Sequence, residues 1–276
     1  MPGLELTGLD GKVAVVTGAG RMRSIGRPIA VELARAGCDI VLTGTGRSPD
    51  RYPDDEKAAG WRDIESVAAE VRALGRRALA ITSDVGDEAA VQALVGRTMA
   101  EFGRVDFVVN NAGAARGRDR VPVLDMPIDA WDTVIRVNLR GTFLMSKFFG
   151  KQLVESGNGG VIINISSIAG KILPPNTSAY AASKSAIQAL TASMAQEVGQ
   201  YGVRVNAICP GLVETYRIDD IAGTEAYQQM LATRIPLRRD GRGEEIAWAT
   251  AFLCSDQGSW ITGQSINIDG GMAVQH

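Results

Sequence analysis

Histidine is nearly missing from this 276-residue chain: the only one, His276, is the last residue. A Ser-His-Asp or Cys-His mechanism therefore has no base to work with, and a histidine-rich metal site is excluded. Cysteine is scarce as well. Cys38, Cys209 and Cys254 lie far apart, each in an apolar stretch. They read as small buried hydrophobes in a reducing compartment, not as a disulfide framework. No run of 18 apolar residues occurs, and Met1 to Gly11 has no basic segment followed by a long apolar one. A soluble, cytoplasmic protein with no membrane partner is expected. Strong charge of one sign is absent too. The formal net charge of −2 offers nothing to draw nucleic acid or an anionic membrane.

What is present is a chain 45% apolar and long enough for a substantial core. Apolar β-branched runs alternate with helical-period segments from end to end. Strands are predicted at Val13–Thr17, Asp39–Thr43, Ala78–Thr82, Phe107–Asn110, Val161–Ser166, Val203–Ile208 and Ser265–Ile268. Continuous apolar runs of this length suit a parallel sheet covered on both faces. Strand-helix alternation predicts an α/β fold of Rossmann type, doubly wound, with a seven-stranded parallel sheet. No repeat, low-complexity tract or linker appears, so one dinucleotide-binding domain over residues 1–276 is expected. Two stretches break the rhythm. Gly44–Trp61 is polar and long for a connection, and Leu212–Pro236 is placed to form a mobile cover over a site.

The first strand runs into Thr17-Gly18-Ala19-Gly20, then Arg21-Met22-Arg23-Ser24-Ile25-Gly26, and a helix is predicted near Arg27–Ala36. Glycines there permit positive φ and close approach of a pyrophosphate to the free N–H groups of the helix. A plain tight connection is the alternative; the position right after the first strand favours phosphate. In such a unit a carboxylate closing the second strand accepts from ribose hydroxyls and repels a 2′-phosphate. Here that strand ends Leu42-Thr43-Gly44-Thr45-Gly46-Arg47, with Thr45 and Arg47 where an acid is usual. Arg21, Arg23 and Arg47 supply positive charge suited to a phosphate fork, unless they form a solvated rim. NADP(H) is favoured on this reading, with NAD(H) possible.

Tyr180-Ala181-Ala182-Ser183-Lys184 sits early in a helix that opens after Asn176-Thr177-Ser178, all good capping residues. A spacing of four puts Tyr180 and Lys184 on one face, which continues through Ile187 and Thr191. A partly buried ammonium there needs acceptors, and it favours the tyrosinate form of its neighbour. Ser166 and Ser167 end the fifth strand, at the usual ligand crevice, and alternation lets only one reach it. Trp131, Val134, Ile135, Leu139 and Thr142 set a helical period that turns Asn138 inward, where its amide must find partners.

Together these segments resemble the classical short-chain dehydrogenase/reductase family, over about residues 8 to 272. The glycine turn departs from the family's Thr-Gly-x-x-x-Gly-x-Gly: two extra residues separate Gly18 from Gly26, and Ser24 replaces the middle glycine. The resemblance implies an NAD(P)-dependent oxidoreductase moving a hydride between a nicotinamide and a carbonyl or secondary-alcohol carbon, with no metal. It selects Ser167 over Ser166, and makes Tyr180 the general acid/base beside Lys184. Asn138 matches the residue that holds a water linking the lysine to solvent. It also implies that Asp84, with Val85, meets the adenine, although a helix cap is the plainer use of that acid. Asn110 would tie strands together, while Asn111, Ala112 and Gly113 would line the cofactor. In Pro210-Gly211-Leu212-Val213-Glu214-Thr215, the Val213 backbone and Thr215 hydroxyl would meet the carboxamide. Ile261–Gln264 and Asp269–Gly271 read as structural. A homotetramer is implied.

The substrate is left as a small carbonyl or alcohol, lined by Ala114–Val123, Ile168–Asn176 and Glu214–Leu231. A 3-oxoacyl-thioester reductase of the acyl-carrier-protein type and a sugar or polyol dehydrogenase both fit. The Arg116-Gly117-Arg118-Asp119-Arg120 run suits an acidic carrier or, more plainly, a solvated loop. A non-catalytic nucleotide sensor would have no need of the proton donor. A sugar-nucleotide epimerase would need more chain after Pro210-Gly211.

Overall fold

Seven parallel strands form the sheet, in the order β3-β2-β1-β4-β5-β6-β7. They are β1 (Val13–Thr17), β2 (Asp39–Gly44), β3 (Ala78–Thr82), β4 (Phe107–Asn110), β5 (Gly160–Ile165), β6 (Val203–Pro210) and β7 (Ser265–Ile268). The computed structural model describes residues 5–274, and His276 lies outside the described residues. Alternation along a strand sends successive side chains to opposite faces, and two apolar layers follow. Ala14 and Val16 of β1 pack with α1 (Gly26–Arg35), α3 (Ile64–Ala73) and α10 (Gly243–Cys254). Val13 and Val15 pack on the other side with α4 (Glu88–Phe102) and α6 (Gly141–Ser156). The doubly wound sheet read from the apolar runs is therefore the fold. All three cysteines are buried and free.

Chain order reverses between β1 and β4, and open sheets of this kind bind ligands in the crevice at that switch point. Buried amides lock the strands that frame it. Asn110 Nδ2 donates to Asn164 Oδ1 at 2.8 Å and to Ser146 Oγ at 3.0 Å, and Asn164 Nδ2 donates to Thr191 Oγ1 at 2.9 Å. Asn110 thus ties strands together.

The irregular stretches hold more structure than their polarity suggested. Gly44–Trp61 contains a 3-10 turn at Pro49–Arg51 and α2 (Asp54–Ala58). Leu212–Pro236 contains a 3-10 turn at Tyr216–Ile218 and α9 (Glu225–Arg234), closed over Ile218, Tyr227, Leu231 and Ile235. The helical period around Asn138 is broken: α5 (Ile128–Val134) passes into a π-turn at Ile135–Arg140 before α6. One short helix, α7 (Ala169–Ile172), precedes the long α8 (Ser178–Val198). No described helix is long and apolar enough to cross a membrane.

Candidate active site

The glycine turn is shaped first by the segment after β4, which packs against it. Gly18 has φ +65°, and a Cβ there would lie 2.8 Å from Ala112 Cα. At Gly26 a Cβ would lie 2.5 Å from the Asn111 amide, which donates to the carbonyls of Thr17 and Gly18 at 2.9 and 3.1 Å. Asn111, expected along the cofactor, thus spends its side chain on holding the turn. Ser24 does likewise: its hydroxyl donates to Arg21 O at 2.9 Å and accepts from Arg27 N at 3.2 Å. It closes the enlarged loop where a glycine is usual. No side chain caps α1 at Ile25, and among the described residues the Ile25 and Gly26 amides find no acceptor. Such amides at a helix start are what a phosphate takes up. The turn therefore fits a dinucleotide.

The arginines expected to greet a 2′-phosphate are largely neutralised. Arg47 donates to Glu56 Oε2 at 2.9 Å and to Asp63 Oδ1 at 3.3 Å, and its side chain is 14% exposed. Arg23 forms a fork with Asp219 and also meets Asp55 at 3.2 Å. Only Arg21 lacks a carboxylate on its head; burial and the nearby Arg47 charge push its pKa down. Asp55, Glu56 and Asp63 come from the long β2–α3 connection, which folds onto the turn, and Asp219 from the segment after β6. Met22 N donates to Glu56 at 2.9 Å, and Trp61 Nε1 donates to Gly20 O at 2.6 Å. The phosphate fork expected of Arg21, Arg23 and Arg47, with a solvated rim as its alternative, is thus corrected for two of the three: acids hold the guanidiniums of Arg23 and Arg47. Thr45 is exposed at that rim.

Asp84, read as an adenine contact, pairs with Arg136 at 2.7 Å and accepts from Gly86 N at 2.9 Å. Burial opposes ionisation, but these bonds hold its carboxyl below the ordinary range. The helix cap there is Asp87, which accepts from Ala90 N at 2.7 Å. Val85 is buried beneath Gly141.

α8 begins at Ser178, inside the capping run expected to precede it, and without side-chain capping. Thr177 makes no cap bond, and its hydroxyl donates back to Pro174 O. Tyr180 and Lys184 lie one turn apart on this helix, with the ammonium 5.7 Å from the phenol ring centre. Lys184 is 5% exposed and donates to Ile165 O at 2.7 Å, at the end of β5. The strand thus supplies the acceptor that a buried ammonium needs. The two serines lie just past the end of β5 and take different partners. Ser166 Oγ is spent on Lys184 O at 2.8 Å and accepts from Gln188. Ser167 faces the phenol, its Oγ also accepting from Ala169 N at 3.1 Å.

Burial alone would raise the Tyr180 pKa. Arg217, then Lys184, the Ser167 hydrogen bond and Arg120 outweigh it and leave the phenol below its ordinary value. Arg217 and Arg120 were not read as part of this centre. Their guanidinium carbons lie 4.4 and 4.5 Å from the ring centre. The solvated-loop reading of the Arg116–Arg120 run holds for Arg118, paired with Asp129 at 2.6 Å, and fails for Arg120. The available signal was an arginine two residues past Thr215, on a segment already expected to cover the site.

Asn138 is fully buried in the π-turn, a feature frequent at functional sites. Its Oδ1 accepts from Ala114 N at 2.8 Å, and its Nδ2 donates to Ser183 Oγ at 2.9 Å. It bridges the segment after β4 to α8, one residue before Lys184. Ala112 is half-buried, and Gly113 is exposed beside Asn138. After β6, Gly211 N donates to Ile268 O at 3.0 Å, and Val213 is buried. Thr215 Oγ1 accepts from Arg217 N at 3.3 Å. The hydroxyl expected on a carboxamide here caps the turn that carries Arg217.

The family model described as Enoyl-(Acyl carrier protein) reductase matches residues 18–273. A short-chain dehydrogenase/reductase of Hericium erinaceus is 38% identical, over 94% of this chain and 96% of its own. An L-rhamnose 1-dehydrogenase (NAD(P)(+)) of a Sphingomonas strain is 35% identical, over 96% and 98%. Among solved structures, a 7 alpha-hydroxysteroid dehydrogenase complexed with NADH and 7-oxo glycochenodeoxycholic acid superposes with a TM-score of 0.83 at 34% identity. It covers 97% of this chain and 96% of its own.

Proposed function

The chain belongs to the short-chain dehydrogenase/reductase family, and from that premise we propose that Ser167, Tyr180 and Lys184 form the reacting centre of its NAD(P)-dependent oxidoreductase activity. The observation that carries this is the phenol of Tyr180 set among Lys184, Ser167 and two arginines, its pKa below the ordinary value although burial opposes it. In reduction, Ser167 and Tyr180 hold the substrate carbonyl oxygen and Tyr180 delivers a proton to it; in oxidation the tyrosinate takes that proton back. When bound, the nicotinamide supplies or accepts the hydride. Lys184, anchored on Ile165 O, stabilises the tyrosinate and turns its remaining donors toward a ribose. Asn138 positions this set through Ser183 and Ala114.

The remaining cofactor contacts follow the family pattern. Gly18, Ile25 and Gly26 take the pyrophosphate, Asp84 and Val85 lie at the adenine, and Ala112 and Gly113 run along the ribose. Pro210, Gly211, Val213 and Thr215 meet the carboxamide. At the adenosine end Arg21 and Arg47 face Glu56 and Asp63, two charges against two. That balance supports use of both NADP(H) and NAD(H), not a marked preference for NADP(H). A small carbonyl or secondary alcohol is the substrate. Arg116 and Arg118 are each paired with an acid, which leaves little basic face for an acyl carrier.

A single domain in a cytoplasmic homotetramer completes the proposal; the exposed Trp248, Trp260 and Phe143 supply apolar surface for subunit contacts. Light scattering on the purified protein measures the assembly. The central test is Tyr180→Phe. Turnover falls by about two to four orders of magnitude, the usual worth of a general acid, while fluorescence titration finds cofactor affinity nearly unchanged. Normal turnover in that variant would refute the assignment.

A further inference from the structure

Two arginines crowd the phenol: they favour its ionised form, but in the reaction described above neither holds the substrate carbonyl nor passes the proton. Arg120 comes from the loop after β4 and Arg217 from the turn after β6, so their meeting at one ring is decided by the fold. Each is anchored without being used up. Arg217 donates from Nη1 to Ala114 O at 2.8 Å and forms no ion pair among the described residues. Arg120 lies 3.3 Å from Asp119, a carboxylate only 3% exposed that also accepts from Gly117 N. The Arg120 Nε is nevertheless buried without an aligned acceptor. Neighbouring arginines differ: Arg116 meets Asp220 at 2.9 Å, and Arg118 meets Asp129.

Around Tyr180 stand Arg120, Arg217 and Lys184, and among the described residues Asp119 is the one carboxylate paired with any of them. Ionising the phenol offsets a single charge and leaves an excess. Half-buried positive charge without a counter-ion is costly, so the site is short of an anion. The same crowding appears at Arg120. Burial lowers its pKa, Asp119 opposes this, and Arg217 and Arg116 add to the lowering.

We propose that Arg120 and Arg217 are specificity-determining residues for an anionic substrate, a ketone or secondary alcohol carrying an oxyanion group within a few bonds of the reacting carbon. This deepens the oxidoreductase reading and rests on it. A guanidinium fork matches a carboxylate or phosphate, and gripping that group beside the phenol aims the neighbouring carbonyl oxygen at Ser167 and Tyr180. An uncharged polyol offers these two arginines hydrogen-bond acceptors but no counter-charge.

The test compares short 2- and 3-oxocarboxylates with their methyl esters, and phosphorylated with unphosphorylated ketones, using NADH and NADPH. Wild type favours the acid or the phosphate by about tenfold or more in kcat/KM, and the two charged arms separate carboxylate from phosphate. Arg217→Leu and Arg120→Leu lower kcat/KM for the charged substrate about 100-fold, mainly through KM, as expected for lost charge-assisted hydrogen bonds. The uncharged partner loses less, so the charged-to-uncharged ratio collapses, and Arg217→Lys restores part of it. Arg118→Leu, on the exposed surface, leaves the ratio in place. Equal losses on both members of a pair would show that the arginines only tune the phenol, and would overturn the proposal. So would a wild type that prefers the uncharged member throughout, or that turns over no charged substrate. Tyr180-dependent reduction of an uncharged ketone in that case leaves the oxidoreductase reading standing.

Discussion

Replacing Glu56 by glutamine removes one charge and almost no volume from the wall of the glycine turn. Glu56 is fully buried, its Oε1 accepts from Met22 N at 2.9 Å, and its oxygens lie 2.9 and 3.4 Å from the Arg47 guanidinium. The glutamine carbonyl still accepts from Met22, so the turn keeps its shape, while Arg47 is left with Asp63 at 3.3 Å. Breaking a buried pair costs about 3–5 kcal/mol. Because Arg47 keeps one carboxylate, about 2–3 kcal/mol is expected, or about 5–10 °C in Tm for a chain this long. The uncovered charge acts on the cofactor as well. The adenosine end passes from balanced to net positive, and the NADPH-to-NADH ratio of kcat/KM rises about tenfold, the worth of one partly screened charge. Urea unfolding of Glu56→Gln, Arg47→Leu and the double variant measures the first effect; the double variant regains part of the loss because the partners are coupled. Cofactor kinetics measure the second. A Glu56→Gln protein within about 0.5 kcal/mol of wild type, or a ratio that moves toward NADH, would refute the account of this network.

The pH dependence of turnover has a definite sign. Oxidation needs the tyrosinate, so kcat/KM for an alcohol rises with pH and levels off below the range of an ordinary phenol, about 10; reduction falls across the same interval. Lys184→Met or Arg217→Leu moves both limbs upward, as pH-rate profiles at saturating cofactor will show, and an unmoved profile counts against the arrangement. Gly18→Ala places a methyl 2.8 Å from Ala112 Cα at φ +65°. About 2–3 kcal/mol of stability is lost, and calorimetric titration shows NADH and NADPH weakened alike. Asn138→Ala strips Ala114 N and Ser183 Oγ of a buried partner and costs about 1–3 kcal/mol. In steady-state kinetics kcat falls more than cofactor affinity.

Much of the fold was legible because its signals are local. Val13–Thr17 and Phe107–Asn110 are apolar runs flanked by polar residues, and both strands appear at the expected bounds. The Tyr180–Lys184 spacing needs only the helical pitch to place both groups on one face. Local signals failed where a side chain's partner lies far along the chain. Arg47 reads as a free cation beside Gly46, yet Glu56 and Asp63 hold it. Asn138 reads as one position in a regular helix, yet the chain bulges there into a π-turn, and its amide joins two segments. Arg120 sits in a basic run that looks solvated, and Arg217 in a loop with no motif.

What the residues determined alone was therefore the periodicity, the order of strands and helices, and the chemistry available at each position. Exclusions belong there too, since a side chain absent from the chain cannot react. Only the tertiary structure decided which charges are quenched and which are left over. Electrostatic energy depends on distance and burial, and neither is a function of separation along the chain. Glu56 and Asp63 therefore cancel an arginine already prominent in the sequence, while Arg217 becomes a neighbour of Tyr180 across 37 positions of chain.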